Sequence, residues 1–232
     1  MADTLPPLLI VGCGKMGGAM LAGWRERDAG QVIAVDPHLP GAPPGATLLR
    51  APGQIPDDFA PAAVILATKP QEAAATLPHY ARFAGAAVFV SIMAGRTVAG
   101  MKALLGEAAA VVRAMPNTPA AVRQGFTVAF AGAGVTEPQR ALADALLAAT
   151  GEVAWVEEES LLDPVTAVSG GGPAYVFLLA EVLEAAAREQ GIPPDLARRM
   201  ARATVAGSGA LLGASAEDAA VLRRNVTSPK GT

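Results

Sequence analysis

Five short, nearly continuously apolar and largely β-branched runs mark the first half of the chain: Leu8–Gly12, Gln31–Asp36, Ala63–Ala67, Ala87–Ser91 and Ala110–Ala114. None alternates apolar with polar residues, as a strand with one wet face does. Continuous apolarity is the mark of strands covered on both faces by crossover helices. Ala-rich helical windows separate the runs, so the pattern predicts a parallel, doubly wound α/β sheet. After Met115-Pro-Asn-Thr-Pro119 two further runs, Gly125–Phe130 and Glu152–Val156, flank a helix opened by Thr136-Glu-Pro-Gln139 and read as edge strands closing the sheet.

From Ser160 onward strand signals stop. Two helical windows, Pro173–Gln190 and Pro194–Leu212, are separated by Gly191-Ile-Pro-Pro-Asp195, a helix stop followed by a helix start. Both windows are apolar over more than one face, more than a two-helix hairpin buries alone. The reading is an all-α C-terminal domain that packs against a second subunit; folding back on the chain's own sheet is the alternative. The boundary is placed at residues 1–159 and 160–232.

With 232 residues, 52% of them hydrophobic, a sizeable core is available. The net charge of −3, with Arg spread along the chain, excludes the electrostatic footprint of a nucleic-acid partner. The one cysteine, Cys13, forms no internal disulfide, and the start MADTLPPLL carries an acid where a secretory signal is basic. A reducing cytoplasm is expected. No apolar run approaches the roughly 18–20 residues of a bilayer span, so no membrane association is expected.

The segment LLIVGCGKMGGAM sets Gly12, Gly14 and Gly17 as G-x-G-x-x-G directly after a buried strand and at the mouth of a helix. The first glycine permits the tight turn, the second lets a pyrophosphate approach the backbone, and the third allows close helix packing. The next strand ends in an acid, Asp36, completing a Rossmann-type dinucleotide signature. A carboxylate there accepts hydrogen bonds from a ribose diol and repels a 2′-phosphate, and no Arg follows closely in VDPHLPG. This leans the choice between NADPH and NADH toward NADH, with His38 able to shift it. ATKPQ (67–71) and SIMAG (91–95) follow the next strands, where such sheets bind ligands; Lys69 either meets cofactor or is solvated.

Proton-handling side chains are scarce. The only histidines are His38 and His79, and after Lys102 the next lysine is Lys230. A dehydrogenase acting on an alcohol needs a positioned base. A protonated cyclic imine is already electrophilic and needs only to be held against the nicotinamide. Hydroxyls and backbone amides in Pro116-Asn117-Thr118, Ser169-Gly-Gly-Gly-Pro173 and Thr227-Ser228 are suited to that task. No metal site is expected.

In order and spacing, VGCGKMGGAML, ATKPQ, RAMPNTPAAVRQG, AVSGGGPAYVF and NVTSPKGT resemble the signature segments of pyrroline-5-carboxylate reductase, from Leu8 to the last residue. The resemblance implies reduction of 1-pyrroline-5-carboxylate to L-proline, an N-terminal Rossmann domain, and a helical domain that forms homodimers, in some members built into decamers. It assigns Gly12, Cys13, Gly14, Lys15, Met16 and Gly17 to the pyrophosphate and Asp36 to the ribose. Ala67, Thr68, Lys69 and Pro70, with Ile92, Met93 and Ala94, fall to the nicotinamide half. Asn117 and Thr118 line the floor near the reacting centre. Asn225, Ser228, Pro229, Lys230, Gly231 and Thr232 meet the substrate, with Ser228 and Thr232 joining Asn117 and Thr118 as the catalytic set.

Three departures stand out. Lys230 replaces the family's usual Gly, Ala219-Ala220 stands where a Pro is usual, and the family pattern continues past Thr232 with a Thr that bonds the ring nitrogen, so a longer gene product is expected. Two other readings compete. A β-hydroxyacid dehydrogenase shares GxGxMG and SGG but requires a Lys on the helix PAYVFLLAEVLEAAAREQG, which has none. A non-catalytic dinucleotide sensor is the other.

Overall fold

The structure, a computed structural model, describes residues 4–27 and 30–227. The chain divides into two compact units, 1–171 and 172–232. In the first, β1 (Leu8–Val11), α1 (Lys15–Arg25), β2 (Val32–Val35), β3 (Thr47–Leu49), β4 (Ala63–Leu66) and α2 (Ala73–Thr76) are followed by β5 (Val88–Ser91), α3 (Val98–Leu105) and β6 (Ala110–Met115). Then come β7 (Gly125–Ala131), α4 (Glu137–Leu147), β8 (Gly151–Val156) and the short α5 (Leu162–Val165).

The eight strands form one sheet in the order β3-β2-β1-β4-β5-β6-β7-β8. All neighbours pair in parallel except β6 with β7. Continuous apolarity has the expected cause. Leu9, Val11, Ile33, Val35, Val64 and Leu66 pack one face against Leu77 and Tyr80 and against Met101 and Leu105 of α3. Their neighbours Leu8, Ile10, Val32, Ala34 and Ile65 pack the other face against Met20, Leu21 and Trp24 of α1 and Leu146 of α4. Each fully buried Leu, Ile or Val side chain contributes about 1.5–3 kcal/mol, and strands so covered have no polar face to show.

One sequence expectation is corrected. Gly125–Phe130 is not an edge: β7 is hydrogen-bonded to β6 on one side and β8 on the other, and only the Glu152–Val156 run lies at the rim. The opposite rim is β3, a three-residue strand too short to show periodicity. The helix predicted from Thr136 begins there, with Gln139 N donating to Thr136 Oγ1 and Thr136 N to Gln139 Oε1, a reciprocal capping box.

On β6, Arg113 carries a charge into the core, its side chain only 6% exposed. Its Nη1 lies 3.2 Å from Glu159 Oε1 and its Nη2 3.1 Å from Asp163 Oδ1. Glu159 Oε1 also accepts the Val98 amide at 2.8 Å, so one carboxylate both pairs a buried cation and holds the start of α3.

The second unit consists of α6 (Gly172–Glu189), α7 (Pro194–Ala214) and α8 (Ala219–Asn225). Ala197 and Ala201, four apart on one face of α7, are its buried residues; α6 has none. Tyr175, Val176, Phe177, Leu178, Leu179 and Val182 of α6 are all exposed. The helical run Glu159–Glu189, 31 residues, is by length and composition long and apolar enough to cross a membrane.

Replacing Glu159 by Ala leaves Arg113 buried beside one exposed partner and the Val98 amide without its acceptor. The expected loss is about 3 kcal/mol of unfolding free energy, read from the urea midpoint; a change below about 0.5 kcal/mol, typical of an exposed pair, contradicts a structural role for the pair.

Candidate functional site

The strand order reverses between β1 and β4, the switch point at which doubly wound sheets open a crevice beyond their strand ends. Here the crevice is a cleft of about 570 Å³, lined among others by Gly12, Gly14, Asp36, His38, Arg50, Thr68, Lys69 and His79. That volume lies within the range of small-molecule and cofactor sites.

The turn after β1 has the expected glycine geometry. Gly12 sits at φ +82, and a Cβ on it would lie 2.8 Å from the carbonyl oxygen of Ala67. A Cβ on Gly17 would lie 2.6 Å from Gly12 O, so this glycine lets α1 close onto the turn. Gly14, the residue capping α1, has nothing within 4 Å of a built Cβ, and no side chain caps the helix start. Free space and uncapped amides thus meet at the start of α1, an arrangement suited to an anion.

Asp36 organises this region. The residue is 8% exposed, and its carboxylate accepts Cys13 N at 2.9 Å on Oδ2 and His38 N at 2.8 Å on Oδ1. One side chain therefore ties the turn after β1 to the turn after β2. Each oxygen retains further acceptor capacity beyond these two bonds. Burial, followed by the Asp36 charge, pushes the Cys13 thiol above its ordinary range and leaves it protonated near neutrality. Burial also raises the Tyr80 phenol, which lines the cleft, to about 12.

The next two loops meet each other. Thr68 Oγ1 lies 3.7 Å from Met93 Sδ, and Arg96 Nε donates to Pro70 O at 2.8 Å. Thr68 and Pro70 are half-buried, Lys69 and Ala94 exposed, Met93 buried and Ile92 half-buried. Asn117 spends its side chain within the protein: Oδ1 accepts Phe126 N at 2.9 Å, and Nδ2 donates to Ser169 Oγ at 3.2 Å. Ser169 lies in a π-helical turn, Thr166–Gly170, that follows α5. Thr118 is exposed beside it. Arg123, held in the left-handed region at φ 62, forks onto both carboxylate oxygens of Glu26 and fastens this loop to the end of α1. The hydrogen bond from Arg123 pulls the Glu26 carboxyl below its usual range.

Of the assigned cofactor residues, Gly12, Gly14, Asp36, Ala67, Thr68 and Lys69 line the cleft together. Cys13, Lys15, Met16, Gly17, Pro70, Ile92, Met93 and Ala94 do not; Cys13 and Gly17 act through the turn's shape. Asn225 closes α8, and Ser228, Pro229, Lys230, Gly231 and Thr232 lie outside the described residues. Arg50 escaped the sequence reading. Its signal was the pairing of β3 with β2, which sets Leu49 against Val35 and brings residue 50 to the end of β2.

A doubly wound sheet with this glycine turn, an acid ending β2 and a switch-point cleft defines a dinucleotide-binding protein of the Rossmann class. Residues 159–232 match the profile of the pyrroline-5-carboxylate reductase dimerisation domain. The chain is 36% identical to pyrroline-5-carboxylate reductase of Pseudomonas aeruginosa, over 99% of this chain and 86% of that one. A solved pyrroline-5-carboxylate reductase from Coxiella burnetii superposes with a TM-score of 0.88 at 28% identity, over 99% of this chain and 87% of the other. The Plasmodium falciparum pyrroline carboxylate reductase solved with NADP bound shares the fold, with a TM-score of 0.83 at 23% identity over 98% and 87% of the two chains. The protein belongs to the pyrroline-5-carboxylate reductase family.

Asp36→Asn keeps one acceptor and turns an NH₂ toward a backbone amide. It is expected to lower the unfolding free energy by about 1–3 kcal/mol, measured by urea titration; an unchanged midpoint rules out the carboxylate as the clamp between the two turns.

Proposed function

We infer that the protein reduces 1-pyrroline-5-carboxylate to L-proline by hydride transfer from a nicotinamide dinucleotide, the last step of proline biosynthesis. The observation that carries this reading is near-complete coverage at 36% identity to a reductase of that name, joined to a preformed dinucleotide turn. The dinucleotide supplies the hydride when bound. Everything else falls to groups that position the partners.

The amides at the start of α1, opened by Gly14, hold the pyrophosphate, and Asp36 fixes the turn that presents them. Ala67–Pro70 and Ile92–Ala94, joined through Thr68 and Met93 and through Arg96 and Pro70, form a platform for the nicotinamide half. Asn117 serves the site by holding Ser169 and Phe126 in place, because both ends of its amide are occupied. Thr118 offers a hydroxyl at the floor. Asn225 and residues 228–232 are assigned to the substrate, with Ser228 and Thr232 as the hydroxyls that complete the catalytic set. Lys230 adds a charge suited to the substrate carboxylate.

A cyclic iminium arrives with its carbon already electrophilic, so no basic side chain is required. Both histidines line the same cleft as Asp36, and His38 N donates to its carboxylate. Helix α6 carries no lysine, which leaves a β-hydroxyacid dehydrogenase without its base.

The apolar face of α6 lies within the matched dimerisation segment, and a second copy is its occupant. Seven exposed large apolar side chains in one helix exceed what monomers leave in water.

Purified protein mixed with 1-pyrroline-5-carboxylate is expected to oxidise a nicotinamide dinucleotide, followed by loss of absorbance at about 340 nm, and to form proline. Absence of turnover with both NADH and NADPH sinks this reading. Phe177→Lys is expected to move the protein to monomer mass by light scattering, with the fold of residues 1–171 retained by circular dichroism; an unchanged mass places the interface elsewhere.

A further inference from the structure

We propose that Arg50 makes the adenosine end of the cleft a 2′-phosphate subsite, so that NADPH is accepted although an acid ends β2. The proposal rests on the dinucleotide reading of this cleft and concerns which dinucleotide it takes. An acid after β2, taken alone, selects against a 2′-phosphate. Two observations change its weight here.

The first concerns the acid. Asp36 is buried and accepts two backbone amides, one from each flanking turn. Its charge is partly satisfied inside the protein, and its oxygens are aimed at those amides.

The second concerns the cation. Asp36 N donates to Leu49 O at 3.0 Å, so the ends of β2 and β3 run side by side and residue 50 emerges next to residue 36. Arg50 is then fixed at both ends. Its backbone amide donates to Gln54 Oε1 at 2.6 Å. Its Nη1 donates to Asp36 O at 3.3 Å and to Leu39 O. Both contacts use the same nitrogen. Of the five guanidinium N–H groups, those on Nε and Nη2 have no partner among the described residues, and they form one edge of the planar fork. That edge matches two phosphate oxygens at once, the bidentate geometry that distinguishes Arg from Lys. Arg50 lines the same cleft as Gly12, Gly14, Asp36 and His38, and it is exposed, so a ligand reaches it. Anchoring on two carbonyls orders the guanidinium beforehand and removes part of the ordering entropy that a free Arg loses on binding.

The test compares Arg50→Ala, Arg50→Lys and the unchanged protein in two assays. By calorimetry, 2′,5′-ADP is expected to bind the unchanged protein more tightly than 5′-AMP. Arg50→Ala is expected to remove about 10- to 100-fold of the 2′,5′-ADP affinity, the range for a lost hydrogen bond to a charged group, while 5′-AMP changes less than about threefold. Arg50→Lys retains charge without the fork and falls between. In turnover with 1-pyrroline-5-carboxylate, kcat/KM for NADPH falls by the same factor in Arg50→Ala and that for NADH does not. An equal fall for both nucleotides reduces Arg50 to a prop for the turn, and equal affinity of the unchanged protein for 2′,5′-ADP and 5′-AMP removes the subsite; either result overturns the proposal. Selective 2′,5′-ADP binding without turnover leaves the subsite standing and rejects the reductase reading instead.

Discussion

The Asp36 carboxylate is the interaction on which the cofactor half of the protein depends. Two turns leave the sheet side by side at the switch point, each with a backbone amide that has no strand partner. A single buried carboxylate accepts both. Charge-assisted bonds of this kind are roughly twice as strong as neutral ones, so the glycine turn is shaped before any ligand arrives. Gly12 and Gly17 make that shape possible by allowing the backbone of residue 67 and the first turn of α1 to close within distances no side chain tolerates. The shape of the glycine turn is therefore set by the folded chain itself.

The same carboxylate shows why a sequence-level specificity argument is incomplete. That argument had a correct local premise, an acid after β2 with no Arg close behind it in the chain. A sheet brings residues together by register, not by sequence distance. The Val35–Leu49 pairing lays β3 alongside β2, and Arg50 arrives at Asp36 from fourteen residues away. β3 itself was invisible because three residues, Thr47-Leu-Leu49, show neither alternation nor a sustained apolar run. By contrast, β1, β2, β4, β5 and β6 were legible because each is covered on both faces. β7 was legible as a strand but misplaced at the rim, since a short apolar run does not state how many neighbours it has.

Among the assigned site residues, legibility followed backbone chemistry. Gly12 and Gly17 were readable because each position demands the absence of a side chain, and the structure shows the clash that demands it; at Gly14 a Cβ would meet only open space. Asn117 was readable as a member of a segment but not in its contacts: its amide holds Ser169 across a π-helical turn, a pairing of residues 52 apart that no local pattern encodes. Arg113 was passed over within an apolar run, although a lone cation in a strand buried on both faces must have a carboxylate partner. Glu159 and Asp163 supply it.

The two units pose opposite solvation problems, and together they account for the sparse chemistry of the chain. In residues 1–171 most apolar side chains are buried and the buried cation Arg113 is paired, while Asp36, Arg50 and Lys69 line the cleft beside glycine-lined space. In residues 172–232 apolar side chains on α6 face solvent, which is tolerable only if another surface removes them from water. α6 lies within the segment matched to the dimerisation domain, which supports a homo-oligomer. Acid–base side chains are costly to bury in either setting unless they are paired. A substrate that carries its own positive charge needs none, and a protein with two histidines, both lining the cleft of the glycine turn, is consistent with that economy.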